Sequence, residues 1–314
     1  MKSRLCLLLG FVLFFIQYGS FGQSKRVCFT IDDLPVVGYG MLDQATQRKL
    51  TERLIGALKN NNIPAIGFVN ESKLYGQDNL LLFQYQMLKS WVENGLELGN
   101  HSYSHFDYNN TSFADFSRDI IKGEAVTKKL QDDNGRSVKY FRHPYLHVGN
   151  TREKADSLDV FLAENGYTVA PVTIDNEEYI FAYAYHKAWL ANDQQMMSKI
   201  AGDYITYMEN MLRYYEIQSV RLFGQNISHI LLLHANLLNA DSLEALAGMF
   251  KKNGYEFIGL EQALKDELYQ TPVTHFGDWG ISWIDRWALS MGKKGSFFED
   301  EPSTPAYIKE LAGL

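Results

Sequence analysis

The sequence predicts an α/β protein whose strands form a closed or nearly closed (β/α) barrel, and three observations predict it. Apolar, strand-like runs alternate with helix-like stretches from residue 27 to about residue 258. There are seven such strand candidates, more in keeping with a barrel than with an open sheet. The titratable residues of interest fall where these runs end. Alternation of this kind implies parallel strands joined by crossover helices.

The elements read off in order. Residues 27–31 are a short apolar run closing on Asp32 and Asp33, and 43–60 form a helix with Leu50, Leu54, Ile55 and Leu58 on one face. A strand at 63–69 follows the Asn60-Asn61-Asn62 turn. A helix at 79–94 stops at Gly95, and a strand at 96–99 runs into His101. A helix over 113–132 closes at Asn134-Gly135, and a strand at 138–141 leads to Arg142. A helix at 152–165 ends at Gly166, and a strand at 167–174 leads to Asp175. A long helix covers about 192–217, and the strand 227–233 runs into His234. A helix at 241–252 ends at Gly254, and a short strand at 256–258 is the last. No repeat or linker interrupts this body, so 23–270 reads as one domain. Residues 271–314 carry Trp279, Trp283, Trp287 and Phe297-Phe298 with weak periodicity and read as a Trp-rich appendage packed on the barrel.

Composition bounds the function. The chain has 314 residues, 46% hydrophobic, which excludes a disordered or fibrous protein. Thirty Lys and Arg against 37 Asp and Glu give a net charge of −7, with no long basic run, which argues against a nucleic-acid binder. Two Cys exclude a disulfide scaffold or a Cys-rich zinc module. Residues 1–22 read as a signal peptide: Lys2 and Arg4, an apolar run over 5–16, then Ser20 and Gly22 at cleavage-site spacing. The run is short for a membrane span, although an uncleaved anchor is the other reading. Cleavage before Gln23 removes Lys2 and Arg4, taking the charge from −7 to −9, and leaves Cys28 without a partner. The protein is then exported to the periplasm or beyond, with no stable membrane insertion.

In parallel (β/α) folds the C-terminal strand ends converge on one face, where active sites are built. Asp32, Asp33, His101, His105, Arg142, Asp175 and His234 would meet there. The His101–His105 spacing puts both imidazoles on one face of a helical turn, able to grip a divalent ion, though the spacing alone is common. Asp32-Asp33 alone is often a solvated turn or a cap, but after a buried strand the pair needs a partner, and a cation would be one. Arg142 is either a surface residue before a turn or a pocket cation lowering a carboxylate pKa. His234 is either a core histidine or a general acid, for which Asp175 is the available carboxylate.

Together these segments resemble the polysaccharide deacetylase family, the NodB-homology domain of carbohydrate esterase family 4. Thr30-Ile31-Asp32-Asp33 is similar to its Thr-Phe-Asp-Asp motif. His101-Ser102-Tyr103-Ser104-His105 matches His-Ser/Thr-x-x-His. Arg142-His143-Pro144-Tyr145 matches Arg-x-Pro-Tyr. Asp175-Asn176-Glu177-Glu178-Tyr179 is a degenerate Asp-x-x-Asp-Trp, and Leu232-Leu233-His234 matches Leu-x-His. The resemblance implies a deformed (β/α) barrel and one divalent metal ion, commonly zinc, with cobalt, nickel or manganese as alternatives. It implies Asp33, His101 and His105 as ligands, Asp32 as general base, and Arg142 tuning Asp32. It also implies that the Tyr145 N–H faces the oxyanion, that Asp175 orients the general acid His234, and that Leu232 lines the acetyl slot. Tyr179 and Glu178 depart from the motif and alter a pocket wall. The implied substrate is an N- or O-acetylated glycan. A related carbon–nitrogen hydrolase on the same fold and a non-catalytic glycan-binding module are the competing readings. Intact Asp32 and His234 count against the binding module.

Overall fold

The computed structural model describes residues 24–40 and 42–314, so the expected signal peptide, with Cys6, lies outside the described residues. The first strand, β1 (Lys25–Leu34), is almost wholly buried. It leads to α1 (Gln44–Asn60), whose start Asp43 caps by accepting from the Thr46 N–H. Next come β2 (Ile66–Val69) and a small hairpin of β3 (Tyr75–Gly76) and β4 (Asn79–Leu80). Then follow α2 (Leu82–Glu93) and β5 (Glu97–Asn100). The helix expected over 113–132 is two: α3 (Phe113–Lys122) and α4 (Ala125–Asp132). Gly123 separates them. A Cβ there would fall 2.5 Å from the Ser102 carbonyl carbon and the Tyr103 nitrogen, so this junction presses on the loop between the two histidines.

After β6 (Tyr140–Phe141), α5 (Arg152–Glu164) and β7 (Thr168–Val169), the strand expected over 167–174 divides. Pro171 has no N–H for a ladder. The first half pairs with β6. The second half reaches β8 (His229–His234) through a parallel bridge between Ile174 and Leu231. Between them lie α6 (Glu178–Leu190) and α7 (Gln194–Phe223). The sequence pattern missed α6, because its apolar residues ring the helix instead of forming one stripe. The body ends with α8 (Leu237–Lys252), β9 (Tyr255–Phe257) and the short α9 (Leu260–Ala263).

The main sheet has seven strands, all paired in parallel. The order is β7-β6-β5-β2-β1-β8, with β9 added at the start of β1. The sheet curls, and the Ile174–Leu231 bridge ties its two ends together, giving a deformed (β/α) barrel. The segment after residue 270 contains α10 (Trp283–Ser290), packed on α7, and α11 (Ala306–Ala312), packed on α6. No helix among the described residues is long and apolar enough to cross a membrane.

Candidate metal and catalytic centre

The site is assembled at the strand ends. In the β1–β8 register Asp32 stands directly beside His234. Successive residues of a strand point to opposite faces, so Asp32 and Asp33 would ordinarily diverge. They do not, because the pairing shifts between Ile31 and Leu34 and Asp33 takes a left-handed conformation (φ 67°). Both carboxylates line the same cavity, of about 730 Å³.

The 101–105 segment is not the helical turn that its spacing suggested. It is a loop in which Ser102 (φ 64°) and His105 (φ 56°) are left-handed. Its shape comes from side chains that capture its N–H groups. Ser102 N–H donates to Asn100 Oδ1 (2.7 Å), Ser104 N–H to Asp119 Oδ2 (2.8 Å) and His105 N–H to Ser102 Oγ (3.0 Å). The two imidazoles still converge, their ring centroids 4.9 Å apart.

Asp33, His101 and His105 each offer a donor atom, and these atoms lie within 4.8 Å of one another. The His101 Nδ1–H donates to the Arg142 carbonyl oxygen (2.7 Å), which leaves Nε2 bare and 3.6 Å from Asp33 Oδ1. His105 Nε2 is 3.5 Å from the same oxygen. That oxygen is buried and has no hydrogen-bond partner among the described residues. Burial pushes both histidine pKa values down, so both rings are neutral. Burial works against ionising Asp33, but the charge of Lys73 holds its pKa below the usual carboxylate range. A buried carboxylate oxygen without a hydrogen-bond donor, close to two imidazole nitrogens and 3.9 Å from the Lys73 ammonium, fits a divalent cation, and three protein ligands would leave positions open.

Asp32 is buried, and burial raises its pKa to about 6 against the opposing charge of Arg142. Arg142 Nη1 lies 3.1 and 3.3 Å from the two Asp32 oxygens. The rest of its guanidinium is also satisfied: Nη2 donates to Thr30 Oγ1 (3.0 Å) and Nε to Ala170 O (2.7 Å). Arg142 is therefore a pocket cation and not a surface residue.

The expected pairing of His234 with Asp175 is corrected by the structure. His234 Nδ1 bonds Glu178 Oε2 at 2.8 Å, whereas Asp175 Oδ1 accepts from the Asn176 N–H (2.8 Å). Glu178 opens α6 one turn after Asp175 and is fully buried. Its other oxygen accepts from Asn236 Nδ2 and, at 2.8 Å, from Asn239 Nδ2. Burial alone would lower the His234 pKa. The hydrogen bond and charge of Glu178, with Asp33 and Asp32, outweigh it and raise the value to about 9. Asp175 keeps a place in the cavity wall, and burial raises its pKa to about 6. Glu178 was detectable in sequence, since it occupies the second acidic place of the fourth motif.

Leu232, Tyr145 and Tyr179 line the same cavity. Tyr145 is left-handed (φ 57°), and its ring packs 4.5 Å from that of His105. Sequence reasoning missed the contribution of Lys73, Gly280 and Glu301 to this centre. None of them belongs to a motif.

Residues 21–161 match the family model described as polysaccharide deacetylase, a span that includes Asp32, Asp33, both loop histidines, Arg142 and Tyr145 and ends before Asp175. No curated protein matches the chain. Among solved structures, a peptidoglycan N-acetylglucosamine deacetylase is similar at 17% identity and a TM-score of 0.51, with 77% of this chain and 89% of that one covered. The chitin deacetylase of the fungal pathogen Colletotrichum lindemuthianum is similar at 21% identity and 0.49, with 78% and 89% covered. A carbohydrate esterase family 4 pseudoenzyme from Bacillus anthracis is similar at 17% identity and 0.45, with 77% and 66% covered. Residues 21–161, which carry most of this centre, are thus similar to the polysaccharide deacetylase family.

Proposed function

We propose that the protein is an exported, metal-dependent hydrolase that removes N- or O-acetyl groups from a carbohydrate. The observation that carries this reading is the shared cavity. It holds an Asp33 oxygen without a hydrogen-bond donor close to two neutral histidines, a carboxylate clamped by Arg142, and an imidazole clamped by Glu178. A protein that only bound glycans would need neither of the last two.

Asp33, His101 and His105 would hold the ion. When bound, it supplies Lewis acidity, polarising the acetyl carbonyl and lowering the pKa of water. Asp32 takes the proton from the attacking water, and Arg142 keeps its carboxylate in one orientation. The Tyr145 N–H donates to the oxygen that gains charge. His234 protonates the leaving nitrogen or oxygen, a step that an amine leaving group requires. Glu178 holds the His234 ring and favours its protonated form. The segment 1–22, with its basic start and apolar run, supports export.

A pH prediction follows from the two tuned groups. Activity needs Asp32 ionised and His234 protonated, so it should rise through about pH 6 and fall through about pH 9. Glu178→Gln removes the charge that raises His234. The alkaline limb should then move to lower pH, with the acid limb nearly fixed and kcat reduced. A pH–rate profile of the variant checks this, and an unmoved alkaline limb would sink the assignment of Glu178. Acetate release from acetylated chitin oligomers, acetyl-xylan, peptidoglycan fragments and acetylated monosaccharides tests the function itself. No acetate from any of them would favour a different carbon–nitrogen bond as the target.

A further inference from the structure

The mouth of the cavity is built partly by residues outside the matched domain. Trp279, Gly280, Glu301, Pro302 and Ser303 line it from the segment after residue 270. Trp279 is the unusual member. Its side chain is 81% exposed, whereas Trp91 and Trp287 are buried and Trp189 and Trp283 pack against the core. An indole left in water forgoes a large apolar burial.

The surroundings fix its backbone and leave its ring free. Asn109 Nδ2 donates to the Asp278 carbonyl (3.1 Å), and Asn150 Nδ2 donates to Asp278 Oδ1 (2.8 Å). Arg286 Nη2 donates to Leu146 O (2.7 Å) and Trp279 O (3.4 Å). Gly280 lies so close to the third-motif loop that a Cβ would fall 1.7 Å from the Tyr145 carbonyl oxygen. An exposed aromatic on a clamped backbone is preorganised, so little chain entropy is lost when something binds it. Two more aromatics stand part-exposed at the same cavity, Tyr145 at 56% and Tyr179 at 47%. Between these faces lie carboxylates and imidazoles. Flat apolar surfaces interspersed with hydrogen-bonding groups match a sugar ring, which has an apolar C–H face and a rim of hydroxyls.

We propose that Trp279 is the platform for a sugar ring at the cavity mouth. The substrate is then a saccharide of at least two rings, one presenting its acetyl group to Asp32 and His234 and a neighbour stacking on the indole. This rests on the deacetylase reading of the centre.

Acetate release from N-acetylglucosamine and its β-linked oligomers of two to five sugars tests it. The kcat/KM of the wild-type protein should climb with chain length. In Trp279→Ala that climb should be lost through KM, by about tenfold at the pentamer, while Trp279→Phe retains most of it. A second readout needs no turnover. Titrating the pentamer into Asp32→Asn protein should change indole emission, and adding Trp279→Ala should abolish the change. An equal loss at every chain length, or no loss, overturns the platform and leaves the acetate chemistry standing. A wild-type protein that releases no acetate removes the deacetylase reading instead, and the titration then decides the platform alone.

Discussion

Replacing Asp32 with Asn is expected to lower acetate release by roughly 10³-fold, within the range that a positioned general base contributes. The amide keeps the shape of the carboxylate and can still accept from Arg142 through its oxygen, but it cannot take the proton of the attacking water. The fold should survive. The Asp32 pKa is raised to about 6, chiefly by burial. Its ordinary value is near 4, so ionising it in the folded chain costs stability that is present at low pH and lost as pH rises through about 6. Removing that group relieves its own burial cost but leaves the buried Arg142 without its counter-charge, so the thermal midpoint should fall while the protein stays folded. Rate and thermal midpoint, measured together, separate a chemical role from a structural one. An unchanged rate would sink the base assignment, and a variant that no longer folds would place Asp32 in the fold instead.

Replacing His105 with Ala is expected to lower affinity for a divalent ion by roughly 10²-fold or more, since even partners behind a ligand are worth 10–100-fold. His105 suits this test better than His101. It is half-buried on the loop, whereas His101 is buried and anchors the Arg142 carbonyl. Asp33 would then face a single imidazole. Metal content after dialysis, with zinc or cobalt added back, reads the change directly, and acetate release should fall in parallel. Retention of a full equivalent of metal would move the site away from Asp33, His101 and His105.

The barrel and most of this centre were legible because they follow from local patterns. Buried runs ending in Asp32, His101, Arg142 and His234 announce parallel strands whose ends meet. What escaped depended on geometry that no local pattern carries. The histidine loop turns through left-handed residues held by Asn100 and Asp119, which spacing alone renders as a helical turn. The partner of His234 is decided by where α6 begins, and that start brings Glu178 to the imidazole instead of Asp175. The helix α6 has apolar residues all round, so it shows no stripe. Gly280 reaches the cavity through packing of a weakly periodic segment onto the Tyr145 loop, a contact between residues more than 130 positions apart.

The most direct test of the central claim is acetate release by the purified protein from N-acetylglucosamine oligomers, before chelation, after it, and after a divalent ion is restored. The account predicts turnover that chelation abolishes and the ion restores, with Asp32→Asn inactive throughout. Turnover that survives complete removal of metal, or that Asp32→Asn retains, would contradict it.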